Sequence, residues 1–139
     1  MRLLVVASWF PFPLDNGSRL RACHLLRHLA RRHEITLLAF GEPTPGEERA
    51  AREFCRQVVP VAPRRHGDAP LGLRGLLSGT PRHFVQAESA DMHRLVAAHL
   101  GNHDAALALQ VDAARYLAGS RGVPTVFEEA EVGVLREQF

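Results

Sequence analysis

The sequence predicts an α/β fold, an open and mostly parallel sheet with helices on both faces, and three observations carry that expectation. Short apolar runs alternate with amphipathic stretches along the chain. The first run, Arg2 to Ala7, is apolar throughout after its arginine, the pattern of a strand buried on both faces. Strand, helix and strand follow one another within the first forty residues, which makes a βαβ unit with a right-handed crossover.

Each element has its own signal. After the first strand comes a loop, Ser8 to Gly17, with Pro11, Pro13 and the turn-forming Asp15-Asn16-Gly17. From Ser18 to about Arg32, Ala22, Leu25, Leu26, Leu29 and Ala30 recur at helical spacing, with Arg21, His24, His28, Arg31 and Arg32 on the other face. Ile35 to Phe40 is a second buried strand, closed by Gly41. Pro45 to Arg56 reads as a helix with Thr44 as N-cap and Glu47 and Glu48 in its first turn. Gln57 to Val61 is a shorter third strand.

Ala62 to Asp68 then reads as a loop and Leu71 to Leu77 as a short helix stopped by Gly79 and Pro81. Glu88 to Leu100 is amphipathic through Met92, Leu95, Val96 and Leu100, and Gly101-Asn102 mark its end. Ala105 to Leu109 fits a fourth strand and Val123 to Phe127 a fifth, joined by a brief helix around Asp112 to Ala118. The segment 128–139 spaces Val132, Leu135 and Phe139 like the opening of a helix, without a terminating cap. The expectation is a domain over residues 1–127 and a helix leading out of it toward further chain.

Length and charge exclude several classes. The 139 residues, 46% hydrophobic and 23% charged, suit one globular core rather than a disordered tail or a disulfide-stapled miniprotein. All seventeen basic residues are Arg, and Ile35 is the sole isoleucine beside nineteen Leu and nineteen Ala, a skew that suggests a GC-rich genome. The formal charge is +2 with no basic run longer than two residues, so no nucleic-acid stripe is visible. Leu3 to Phe10 could pass for a secretory apolar region, but one positive charge, Pro11 and Pro13 favour a strand. Cys23 and Cys55 are then expected to be reduced thiols in a cytoplasmic setting.

In an open parallel sheet, ligands bind beyond the carboxyl ends of the strands where strand order reverses. With the order 3-2-1-4-5, that point falls between strands one and four and pairs the Asn16-Gly17-Ser18 turn with Gln110. A helix N-terminus there favours an anion, with Arg19 and Arg21 adding positive charge; the plainer reading is a helix that begins with a Ser cap and a Gly turn. Glu128, Glu129 and Glu131 either bind sugar hydroxyls or act as a base at a strand end, or form the acidic first turn of the final helix.

The histidine pairs His24/His28 and His99/His103 have helical i, i+4 spacing but no adjacent Glu, so a solvated face outweighs a metal site. The stretch Arg64 to Phe84 reads as a packed connecting helix rather than a membrane-surface contact. There is no GxGxxG, no P-loop lysine and no G-x-S-x-G.

The run Trp9-Phe10-Pro11-Phe12-Pro13, then Asp15-Asn16-Gly17-Ser18-Arg19-Leu20-Arg21, then His24-Leu25-Leu26-Arg27-His28-Leu29-Ala30-Arg31-Arg32-His33-Glu34 resembles the opening of bacterial GT-B glycosyltransferases of family 4. Leu73 to Pro81 and the strand after Asp104 look similar to the same group. The resemblance implies a Rossmann-like N-terminal, acceptor-side domain, with the C-terminal donor-binding domain absent from these residues. It further implies a retaining transfer of sugar from a nucleotide-sugar donor to a glycan, lipid-linked or small acceptor, with the fragment alone inactive. It implies no resident cofactor and no metal, a cytoplasmic protein, and in many members peripheral contact with a membrane.

By position the resemblance carries Gly17 and Ser18 onto the family's glycine loop, with Arg21 on the helix below. Asn16-Gly17-Ser18 stands where many members have two glycines, and Gln110 stands where some have His, so no catalytic residue is named. Trp9, Gln110, Glu128, Glu129 and Glu131 are the cleft-edge candidates. The alternative is a stand-alone α/β ligand-binding or regulatory module without catalysis.

Overall fold

The computed structural model describes residues 1–62 and 89–129. Five strands, β1 (Arg2–Ala7), β2 (Glu34–Phe40), β3 (Gln57–Val61), β4 (Ala105–Leu109) and β5 (Thr125–Glu128), form one sheet in the order β3-β2-β1-β4-β5. Every pairing is parallel. Among the described residues four helices connect or flank them: α1 (Gly17–Leu29), α2 (Pro45–Arg52), α3 (Ala90–Leu100) and α4 (Val111–Leu117).

The alternation of side chains along a strand divides the core into two layers. Leu3, Val5 and Ala7 of β1, with Ile35, Leu37 and Ala39 of β2, pack against Ala22 and Leu26 of α1 and Ala51 of α2. Leu4 and Val6, with Leu38 and Ala106, face the other way onto Met92 and Val96 of α3 and Ala113, Tyr116 and Leu117 of α4. Because β1, β2 and β4 are covered on both sides, their buried positions are apolar apart from Thr36. The edges read differently. Pro60 sits in β3, an edge strand where its missing amide hydrogen costs no ladder bond, and Val126 and Phe127 of β5 are exposed.

The helix ends depart from expectation for local reasons. The side chain of Asn16, not Ser18, caps α1 by accepting from the Arg19 N–H at 2.9 Å, because the residue before the first helical turn holds the extended backbone that capping needs. The helix closes at Leu29 rather than Arg32: Arg31 N–H turns to His28 O and His33 N–H to Leu29 O, reversing the chain into β2. Thr44 caps α2 in a full capping box with Glu47, and that helix ends at Arg52 as Cys55 turns into the core. β5 begins two residues later than expected, at Thr125, and ends on Glu128. The loop expected over 62–68, the helices expected over 71–77 and 128–139, residue 88, Glu131, and the similarity over 73–81 lie wholly or largely outside the described residues. No helix among the described residues is long and apolar enough to cross a membrane.

Candidate functional site

The strand order puts the reversal between β1 and β4, and the residues that follow these strands meet there. β1 runs into Ser8, whose N–H donates to Leu109 O at 3.4 Å, and then Trp9. β4 runs into Gln110, which has φ +75° and ψ 156°, a region that non-glycine residues rarely occupy. Three groups hold it there. Its N–H donates to Glu128 O at 2.8 Å, its carbonyl accepts from Ala113 and Ala114 at the start of α4, and its side-chain Oε1 accepts the Trp9 indole N–H at 2.7 Å. An indole nitrogen only donates, so the carboxamide must present its oxygen to Trp9, leaving its NH₂ group for another partner.

β5 completes the edge. Glu128 forms an ion pair with Arg21 of α1 at 2.5 Å, tying the last strand to the first helix. Glu129 Oε2 accepts the N–H of Val111 at 2.9 Å, so this carboxylate caps α4. Trp9, Arg21, Gln110, Glu128 and Glu129 thus come together at one end of the sheet.

The Asn16-Gly17-Ser18 turn lies at the same end, as the start of α1, but its charge is compensated. Arg19 Nη1 donates to both carboxylate oxygens of Asp15, at 2.8 and 2.9 Å, and Asn16 spends its side chain on the cap and on Asp15. Both arginines expected to meet an anion therefore hold carboxylates. An incoming anion must compete with Asp15 and Glu128 for them. Gly17 remains open, since a Cβ there would meet nothing within 4 Å.

Beside this edge, the loops after β1 and β2 enclose a cavity of about 320 Å³ whose lining includes Trp9, Phe12, Arg19, Phe40, Glu42 and Glu47. Its floor depends on Gly41, which has φ +144° and whose Cβ, if present, would stand 3.0 Å from that of Phe10. The glycine after the second strand is the sequence signal for this cavity. Asp15 as a neutralising partner and Glu129 as a cap carry no sequence signal of their own.

The histidines and cysteines lie elsewhere. His103 Nδ1 faces the His99 carbonyl at 2.7 Å and so carries the ring proton, while Nε2 lies 2.9 Å from Thr36 Oγ1, near the amino ends of the strands. His24 and His28 are exposed. Among the described residues no three metal-ligating side chains gather. Burial pushes the Cys55 thiol from the ordinary 9.0 up to about 12, with Cys23 adding to the effect. Burial also raises Cys23 against the opposing pull of Arg27. Neither is a thiolate nucleophile at neutral pH.

No match comes from the models of known protein families or from the curated proteins.

Proposed function

We propose that these residues are the acceptor-side domain of a GT-B glycosyltransferase of family 4, which moves a sugar from a nucleotide-sugar donor to a glycan, lipid-linked or small acceptor with retention of configuration. The reading rests on the resemblance of the first forty residues. The observation that carries it is the Trp9–Gln110 bridge, which holds a strained residue across the reversal of strand order, where open parallel sheets bind their ligands. The motif residues line this edge: Trp9 forms one end of the bridge, Gly17 leaves the backbone open to approach, and Arg21 sits on the strand end through Glu128.

In this reading a second, donor-binding domain closes over the carboxyl edge. The nucleotide sugar is a co-substrate, no resident cofactor or metal is needed, and the protein works at the cytoplasmic side of the membrane when its acceptor is lipid-linked. The α1 N-terminus and Arg21 stabilise negative charge on the departing diphosphate. For this, Arg21 exchanges Glu128 for the phosphate, two acceptors of like charge.

The test is nucleoside diphosphate release by the protein in which this domain is joined to its continuation, with nucleotide sugars and acceptors supplied. Acceptor-dependent release is expected. Gly17→Val should cut turnover by about tenfold or more, because preorganised donors at a developing charge contribute on this scale, and should leave the fold unchanged because the position is open. No release with any donor, or full activity in Gly17→Val, would contradict the reading. Tight nucleotide-sugar binding by the 139 residues alone would contradict the division of labour between the domains.

A further inference from the structure

The cavity between the loops after β1 and β2 adjoins the α1 end of the site through Arg19, and its other charged lining residues are acidic. At about 320 Å³ it is at the small end for a ligand pocket, which begins at roughly 300 Å³. Its walls are aromatic and fixed: Trp9 is held by Gln110, and Phe12 packs between Phe10 and Phe54, with ring centroids 6.5 and 6.3 Å away. Its charged lining residues are Arg19, Glu42 and Glu47. Arg19 is already neutralised by both oxygens of Asp15. Glu47 commits Oε2 to the N–H and hydroxyl of Thr44 and keeps its negative charge. Glu42 is exposed at the rim and has no ion pair with any described residue.

Aromatic faces beside carboxylates that lack a compensating cation attract ammonium groups through ring quadrupole and charge together, and they repel anions. We propose that this pocket takes a single-ring ligand bearing a protonated amine, with Glu42 as the residue that selects the amine. Calling that ligand the sugar acceptor rests on the transferase reading above; the pocket's preference for an amine does not.

The experiment is an NMR titration of the 139-residue chain with glucosamine, glucose and glucuronate, at about pH 6, where amines of ordinary pKa near 8 are protonated and carboxylates are ionised. Glucosamine should shift the Gly41 and Glu42 amides and the Trp9 indole N–H, and bind about tenfold tighter than glucose, the scale of one charge-assisted hydrogen bond. Glucuronate should bind weakest. Glu42→Gln should bring glucosamine down to the affinity of glucose while its spectrum otherwise overlays that of the parent. Equal affinities, a preference for glucuronate, shifts confined to other surfaces, or no shifts at all would each overturn the proposal. Amine selectivity without sugar transfer by the longer protein leaves the pocket and removes the word acceptor. Transfer without amine selectivity does the reverse.

Discussion

At the amino ends of the strands the chain closes on itself through backbone bonds and exposed side-chain pairs, Arg2 with Asp104 and Arg56 with Glu34. Glu34 N–H donates to Met1 O, Asp104 N–H to Arg2 O, and Arg2 N–H returns to the Asp104 carboxylate at 2.6 Å. Gly101, which leads toward this edge, has φ −64°, a conformation open to any residue. At the carboxyl ends backbone bonds, Gly41 N–H to Val61 O and Gln110 N–H to Glu128 O, are joined by longer-range side-chain links: Trp9 to Gln110, Arg21 to Glu128, and Glu129 to Val111. Gly41 and Gln110 hold positive φ there, as Gly119 and Gly122 do in the turn between α4 and β5, where glycine meets no steric cost. Among the described residues Gln110 is the one non-glycine at positive φ, so the strained backbone lies at the carboxyl edge. Strain persists only where surrounding contacts enforce it, and such places are where binding and chemistry concentrate.

Glycine substitutions give the largest contrast between the edges. Gly41→Val should lose about 3 kcal/mol, combining an unfavourable φ with overpacking against Phe10. Gly101→Ala should gain roughly 0.5 kcal/mol, because its backbone suits alanine and a Cβ meets nothing. Urea unfolding of both variants measures the difference. Losses of similar size at the two positions would erase the distinction.

A smaller effect separates the edges by pH. The Arg2 backbone N–H holds the exposed Asp104 carboxyl below its ordinary 3.8, and the neighbouring positive charges assist. A lowered folded pKa means stability that is fully present above the unfolded value and fades as the pH falls through the folded one. Asp104→Asn should therefore flatten a shallow acid limb of the stability curve, its small loss present at neutral pH and vanishing as the parent's carboxyl is protonated in acid. Its effect at neutral pH should be modest, as for other exposed charge pairs.

Much of this architecture is legible in the sequence. The apolar runs of β1, β2 and β4 follow from burial on both faces, and the strand order agrees with the expected 3-2-1-4-5. Thr44 and Glu47 announce α2 because a capping box is a local device. The carboxyl edge is only half legible. Trp9, Arg21, Gln110, Glu128 and Glu129 can be named from their places after strands, yet their partners lie far along the chain, as with Trp9 and Gln110 across 101 positions. Neutralisation of Arg19 by Asp15 is local but competes with several other arrangements of the same loop. The positive φ of Gln110 has no compositional signal, because it is imposed by the three contacts around it rather than chosen by the residue.

The central claim is that the carboxyl edge holds Gln110 in a conformation its own chemistry disfavours. Comparing Gln110→Gly with Gln110→Ala tests this most directly, since both variants lose the bond to Trp9 and differ only in their tolerance of φ +75°. At a relaxed position alanine is the more stable of the two by about 0.5–1 kcal/mol. Here chemical denaturation should give the reverse order, with Gln110→Gly more stable than Gln110→Ala by about 1 kcal/mol. Alanine equal to or above glycine would mean that Gln110 is unstrained and that the carboxyl edge is no different from the amino edge.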